Sequence, residues 1–236
     1  MITDINQLPA DSESAFVCAD CMDLMARYPD GYFDIAIVDP PYGGVTQGGY
    51  MNNKMGGGAA SPRNDYHLSL WKCAAPGAEY FSELKRVSKN QIIWGGNYFA
   101  SQLKDSQGWI VWDKEKPDGF SFADVELAYT SFNVASRIFH FAWNGMIQGD
   151  MKHKEYKIHP TQKPVQLYKW LIDRYTKPTD IILDTHVGSA SSLIAAQALN
   201  RRFVGCELDS YYYQEALKRF QTESAQLTMF NLFGEI

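Results

Sequence analysis

The chain has little cysteine, no surplus of basic residues and no long apolar run. Four cysteines stand at 18, 21, 73 and 206 among 236 residues. Only Cys18 and Cys21 form a C-x-x-C pair, with no second pair to complete a zinc site, so no metal is expected. Cys18 and Cys206 read as small strand-core residues, and the thiols are expected to stay reduced. No apolar run approaches the ~20 residues needed to span a bilayer. Met1 to Ser14 is polar and lacks a signal-peptide core, so a cytoplasmic, soluble protein without a membrane partner is expected. The net charge of -5 argues against broad adhesion to nucleic acid, although a local basic face could still bind it. There is no repeat and no low-complexity tract beyond one glycine-rich loop. With 45% apolar residues, the length suits one sizeable α/β domain, residues 1–236, with short insertions.

Among what is present, Asp39-Pro40-Pro41-Tyr42 is the most informative stretch. It ends an apolar run, Ile35-Ala36-Ile37-Val38, which reads as a buried parallel strand. The run therefore delivers a carboxylate to a strand's carboxyl end, the edge where open α/β sheets bind ligands. Two prolines stiffen the turn and offer carbonyl oxygens with no competing N–H, and Tyr42 adds a flat face for a planar base. Alone, the four residues could equally be a strand-ending turn, since Asp and Pro are common in turns.

A second strand-turn-helix lies far downstream. Ile181-Ile182-Leu183 runs into Asp184-Thr185-His186-Val187-Gly188-Ser189-Ala190-Ser191-Ser192 and then an apolar helical pattern from Leu193 to Leu199. Small residues let the backbone approach a ligand, and the helix start offers free N–H groups. The next strand, Phe203-Val204-Gly205-Cys206, ends at Glu207, at the spacing that holds ribose hydroxyls in nucleoside-binding βαβ units. Taken alone, the turn could serve another nucleotide or none. The third piece is His159-Pro160-Thr161-Gln162-Lys163-Pro164. It opens a helical stretch through Val165, Leu167, Trp170, Leu171 and Tyr175, with Pro164 suited to the first turn. It too could be no more than a helix cap.

Together the three pieces resemble the S-adenosylmethionine-dependent amino methyltransferases that act on DNA adenine or cytosine. Their order, catalytic turn, closing segment, donor turn, resembles the permuted class called beta. The resemblance covers most of the chain. It implies a Rossmann-like α/β fold, a mostly parallel twisted sheet with helices on both faces and a circularly permuted motif order. It also implies S-adenosylmethionine as cofactor. In this family Asp39, Pro40, Pro41 and Tyr42 would form the catalytic turn. Asp184 would lie near the donor's amino end, Gly188 and Ser189 would line its turn, and Glu207 would take the ribose. Thr161 and Lys163 would be polar contacts of a segment closing over the methionine end. The commonest pattern has Pro-Phe where Thr185 and His186 stand, a change that looks familiar among phage and prophage relatives. It also has glycine at Ala190, whose methyl group puts close approach of the backbone to the donor in question.

Other stretches fit the same family. Trp94-Gly95-Gly96-Asn97-Tyr98-Phe99 follows strand-like Gln91-Ile92-Ile93, and Val125 to Tyr129 reads as a later strand with Glu126 at a family-like position. Phe16 to Asp20 looks like the strand after the donor region, with Asp20 near the adenine moiety; Asp20 could equally cap a short helix from Met22 to Arg27.

Two segments are candidates for contact with double-stranded DNA. The glycine-rich loop 43–65, with Lys54 and Arg63, reads as a lid over a flipped base. The short stretch 144–158 holds Lys152, Lys154 and Lys157 and stands where a target-recognition region belongs, although a solvated lysine-rich loop would look the same. In the tail, 224–236, Gln226 to Phe230 resembles a sliding-clamp peptide; packing on the enzyme or at a dimer contact is an equal alternative. Beta-class relatives often form homodimers.

The expected reaction is methylation of adenine N6 in DNA, because the family's adenine enzymes usually carry Asp at the first motif position. Cytosine-N4 methylation, a homologue that binds DNA without catalysis, and an amine in RNA or protein stay open as alternatives.

Overall fold

The computed structural model describes residues 1–9, 13–43, 74–117, 123–144 and 147–233, with side chains as far as 225. Lys54, Arg63 and nearly all of loop 43–65 lie outside the described residues, as does Cys73. In chain order the elements are β1 Ala15–Cys18, α1 Cys21–Met25, β2 Phe33–Val38, α2 Ala78–Val87, β3 Ser88–Trp94, β4 Trp109–Asp113, β5 Val125–Thr130, β6 Arg137–His140, β7 Trp143–Asn144, β8 Ile147–Gln148, α3 Val165–Tyr175, β9 Ile181–Asp184, α4 Ser191–Ala198, β10 Arg202–Glu207 and α5 Ser210–Phe233.

Eight strands form one sheet in the order β1-β10-β9-β2-β3-β5-β4-β6, and β7 and β8 form a separate hairpin. The strands from β1 to β3 in that order pair in parallel, β5 runs antiparallel to β3 and β4, and β6 is parallel to β4. This is the mostly parallel α/β sheet that the apolar runs imply.

Side-chain alternation splits the core into two layers. Ile35 and Ile37 face one layer with Leu167, Leu171 and Ile172 of α3 and Leu193 of α4. Ala36 and Val38 face the other with Leu24 and Met25 of α1 and Phe81, Leu84 and Val87 of α2. Helices therefore cover both faces, and each fully buried Leu or Ile contributes roughly 1.5–3 kcal/mol.

The centre of the sheet positions the site. β9 and β2 are neighbours, with Ile35 opposite Ile182 and Ala36 opposite Leu183, and they run in the same direction. The chain leaves β9 toward β10 on one side and leaves β2 toward β3 on the other. A reversal of that kind opens a crevice at the strands' carboxyl ends.

Several sequence expectations need correction. Cys18 is exposed, because it stands at the end of edge strand β1, whereas Cys206 is buried. The first short helix is Cys21–Met25 rather than 22–27. Pro164 is the N-cap of α3, extended at ψ 146°, one residue before the first turn. β6 and the β7–β8 hairpin fall between β5 and the basic stretch, so the hairpin takes up part of segment 144–158. α5 continues through the segment read as a tail as far as Phe233. Among the described residues, no helix is long and apolar enough to cross a membrane.

Candidate active site

Asp39 leaves the end of β2 half-buried, and both of its oxygens are engaged. Oδ1 accepts from Tyr42 Oη at 2.6 Å and Oδ2 from Lys163 Nζ at 2.5 Å. The proline turn thus folds Tyr42 back onto the carboxylate three residues earlier. The Tyr42 ring stacks on Tyr98 with centroids 5.0 Å apart and planes 19° apart. One face of Tyr42 is therefore taken by Tyr98. Burial and the neighbouring Asp39 hold the Tyr42 phenol well above its usual range.

Gly95 makes this packing possible. Its backbone is left-handed at φ +68°, and a Cβ there would run into the Tyr42 ring.

Lys163 is buried between Asp39 and Glu126, with Glu126 Oε2 3.2 Å away. Lys114, just after β4, approaches Glu126 from the other side at 2.6 Å. Burial alone would raise the Glu126 carboxyl, but Lys163 and Lys114 bring it down to about 2. The Lys163 ammonium is raised, because its two carboxylate partners outweigh the burial that opposes its charge. Lys114 gave no signal in the sequence. Glu126 did, as a charged residue inside the apolar strand Val125-Glu126-Leu127-Ala128-Tyr129.

The second half of the site is the turn after β9. Asp184 is buried and accepts from Ser192 Oγ at 2.5 Å and from the His186 N–H at 3.0 Å. Burial lifts its carboxyl to about 7 despite these two donors. Glu207, at the end of β10, accepts from the Gly188 N–H at 2.9 Å and the Asp209 N–H at 3.0 Å. Its carboxyl is also raised, by burial. Gly188 is left-handed at φ +56°, and so is Ala190 at φ 64°. Ser189 is buried, and its carbonyl accepts from Arg219 of α5 at 2.8 Å.

A short polar chain fixes the variant pair in this turn. The Tyr80 hydroxyl meets Thr185 Oγ1 at 2.7 Å, and Thr185 Oγ1 meets His186 Nδ1 at 2.9 Å. Burial lowers the His186 imidazole to about 4, so it is neutral at pH 7.

The segment from His159 to Pro164 begins against the Gly188 turn. His159 is buried, its ring edge-on to Tyr212 at 4.4 Å and 3.9 Å from where a Gly188 Cβ would stand. Thr161 is tied back to His159 Nδ1 through its N–H at 3.3 Å and its hydroxyl at 3.1 Å. Asp20 caps α1, accepting from the Met22 N–H at 2.7 Å. It still stands at the same sheet edge, since Cys18 pairs with Glu207.

The basic stretch is divided. Lys152 and Lys154 are exposed. Lys157 turns inward, with its ammonium 4.5 Å from the Trp143 ring centre, and burial brings it down to about 8. Lys157 therefore packs against the hairpin instead of projecting from the loop with the other two lysines.

An acidic turn and a glycine-containing nucleoside-type turn thus follow neighbouring parallel strands at the carboxyl edge of a doubly covered sheet, an arrangement suited to a group-transfer enzyme. A family model described as DNA methylase matches residues 89–218, and the chain belongs to that family. The match begins at β3, so the Asp39 turn is placed by geometry. "Putative methylase YubD" of Escherichia coli (strain K12) is 26% identical over 215 residues, covering 87% of this chain and 89% of its own. Solved structures share the fold. TTHA0409 from Thermus thermophilus, complexed with S-adenosyl-L-methionine, aligns with a TM-score of 0.54 and 16% identity over 89% of this chain and 95% of its own. The cytosine-N4-specific PvuII DNA methyltransferase aligns with a TM-score of 0.57 and 11% identity over 92% and 93%.

Proposed function

We propose that this chain transfers a methyl group from S-adenosylmethionine to the N6 amine of an adenine flipped out of double-stranded DNA. The observation that carries the reading is the pairing of β2 with β9, which sets the Asp39 and Asp184 turns side by side although the residues are far apart in sequence.

The residues fit the donor. Asp20, Asp184 and Glu207 supply acceptors for an ammonium group and ribose hydroxyls. The left-handed Gly188 leaves its Cβ position without a neighbour closer than 3.9 Å. When bound, S-adenosylmethionine supplies an electrophilic methyl group on a sulfonium.

The chain's own groups act on the amine. An exocyclic base amine is a poor nucleophile, because its lone pair is delocalised into the ring. Asp39 and the Pro40 carbonyl accept its two hydrogens and draw the nitrogen toward tetrahedral geometry. The remaining carboxylate lone pairs make this possible even with Tyr42 and Lys163 in place. Catalysis then comes from positioning and from attraction between anionic Asp39 and the positive charge that develops on the amine, which sheds its surplus proton to solvent after the methyl has arrived. Tyr42 stacks on the extruded base. Lys152 and Lys154 meet phosphates, with Lys54 and Arg63 of the glycine-rich loop on the same substrate.

Adenine is chosen over cytosine because Asp stands at the first position of the catalytic turn. The test is methylation of duplex DNA by the purified chain, followed by nucleoside analysis: N6-methyladenine is expected, and N4-methylcytosine alone overturns the choice of base. Asp39→Ala is expected to abolish transfer while calorimetry still detects S-adenosylmethionine. Turnover in that variant defeats the mechanism, and absence of binding heat in the unmodified chain points to a homologue that binds DNA without catalysis. The same proposal includes a homodimer, checked by sedimentation, and a sliding-clamp contact through Gln226 to Phe230, checked by pull-down after its deletion.

A further inference from the structure

Lys163 joins two carboxylates that come from different parts of the fold. Its ammonium is 2.5 Å from Asp39 Oδ2, 3.2 Å from Tyr42 Oη and 3.2 Å from Glu126 Oε2, with the Trp94 ring centre at 5.3 Å. Among the described residues it is the one cation within ion-pair distance of Asp39.

The groups that face Asp39 come from every element around it. They are Tyr42 on its own turn, Lys163 from the closing segment, Glu126 from β5, Tyr168 from α3 and Asp184 from β9, with Lys114 behind Glu126. Without the ammonium, two half-buried carboxylates would face each other with Lys114 left on Glu126 alone. Like charges there disfavour double ionisation, so one of them would take a proton. A protonated carboxyl directs an O–H outward and loses acceptor capacity that an amine requires.

Resting on the amine-transfer reading above, we propose that Lys163 is a positioning residue for methyl transfer. It keeps Asp39 an anionic acceptor beside Glu126 and fixes Oδ2 while Tyr42 fixes Oδ1. With Lys114 on the far oxygen of Glu126 the two carboxylates and two ammoniums balance, and the group that the amine itself meets is the Asp39 carboxylate.

The test compares Lys163→Met, Lys163→Arg, Glu126→Gln and the Lys163→Met/Glu126→Gln double variant. Lys163→Met should transfer methyl roughly tenfold more slowly, or worse, at pH 7 with S-adenosylmethionine saturating. Activity should return at higher pH, the acid limb having moved up by about one unit or more. Lys163→Arg should restore the original profile, and the double variant should move the limb back. Glu126→Gln alone keeps the cation and removes the competing anion, so it should extend activity to lower pH.

A readout independent of turnover is the carbon-13 titration of the Glu126 carboxyl in the free protein, whose midpoint should rise in Lys163→Met. Equal loss of rate at every pH, contraction of the Glu126→Gln profile at low pH, or an unmoved carboxyl titration overturns the inference. If the unmodified chain methylates no DNA, the functional reading fails, and the titration still decides the role of Lys163. Should Lys163→Met not fold, Glu126→Gln and Lys163→Arg decide it.

Discussion

At the scale of single residues, two left-handed positions show opposite solutions to one backbone problem. Gly95 has the residue its φ requires, and the Tyr42 ring packs where a side chain would be. Ala190 does not, although it is left-handed and fully buried at the N-cap of α4. It is held there because its N–H donates to the Val187 carbonyl and its own carbonyl accepts from the Ile194 N–H. An L-residue in that conformation costs roughly 1–2 kcal/mol. Ala190→Gly removes the strain but gives the unfolded chain more freedom. The net gain should be about 0.5–1 kcal/mol, or ~1–4 °C in Tm, with tighter S-adenosylmethionine binding. Differential scanning fluorimetry and calorimetry measure both, and a lower Tm together with unchanged affinity would count against strain at this position. The sequence displayed the alanine as a departure from the family; the conformation it had to adopt became visible only in the turn.

At the scale of elements, the site is held by a buried link between three pieces. Arg219 of α5 donates to the Ser189 carbonyl at 2.8 Å, to Ser191 Oγ at 3.0 Å and to Glu155 Oε2 at 2.7 Å. Glu155 Oε1 accepts the Val165 N–H at the start of α3, at 2.8 Å. One guanidinium thereby joins α5, the turn after β9 and, through Glu155, the start of α3. Arg219→Met leaves Glu155 buried without its partner and should cost about 3–5 kcal/mol of stability. It should also weaken S-adenosylmethionine binding by loosening Ser189. In the Arg219→Met/Glu155→Gln double variant most of the stability returns. Urea titrations check this, and a loss below ~1 kcal/mol in the single variant would show the pair to be unimportant.

This link had no signature in the sequence, because its partners are 64 residues apart and neither belongs to a motif. What was legible there has a physical reason. β2, β9 and β10 are buried on both faces, so they read as apolar runs, and the turns that follow them stood out. β4 and β6 lie toward the antiparallel end of the sheet, where β6 is mostly exposed, and their patterns are weak. The ion pair of Lys163 with Glu126 had no signature in the motif, because β5 brings Glu126 in from elsewhere. The adjacency of β2 and β9 is likewise a property of the sheet order, legible only through the family resemblance.

At the scale of the whole molecule, the carboxyl edge of the sheet concentrates acidic groups that suit a cationic ligand and burden the free protein. Asp184 shows this most directly, because burial, with smaller contributions from Asp39 and Glu207, lifts its carboxyl to about 7. An unfolded aspartate titrates near ~3.9. Between those values the folded chain keeps a proton that the unfolded chain has released, so this residue's contribution to stability is greatest below about pH 4 and declines as pH rises toward 7. The decline is at most about 1.4 kcal/mol per pH unit. Asp184→Asn is nearly isosteric: its oxygen can accept the His186 N–H and its amide can donate to Ser192 Oγ. Relative to the unmodified chain it should therefore gain more stability at pH 8 than at pH 5 in urea unfolding, and weaken S-adenosylmethionine binding at both. If binding places a positive group against Asp184, calorimetry near pH 7 in buffers of different ionisation enthalpy should show proton release with aspartate and none with asparagine. Equal stability gains at the two pH values, or identical proton release in both proteins, would mean that Asp184 is not where the fold exchanges stability for ligand charge.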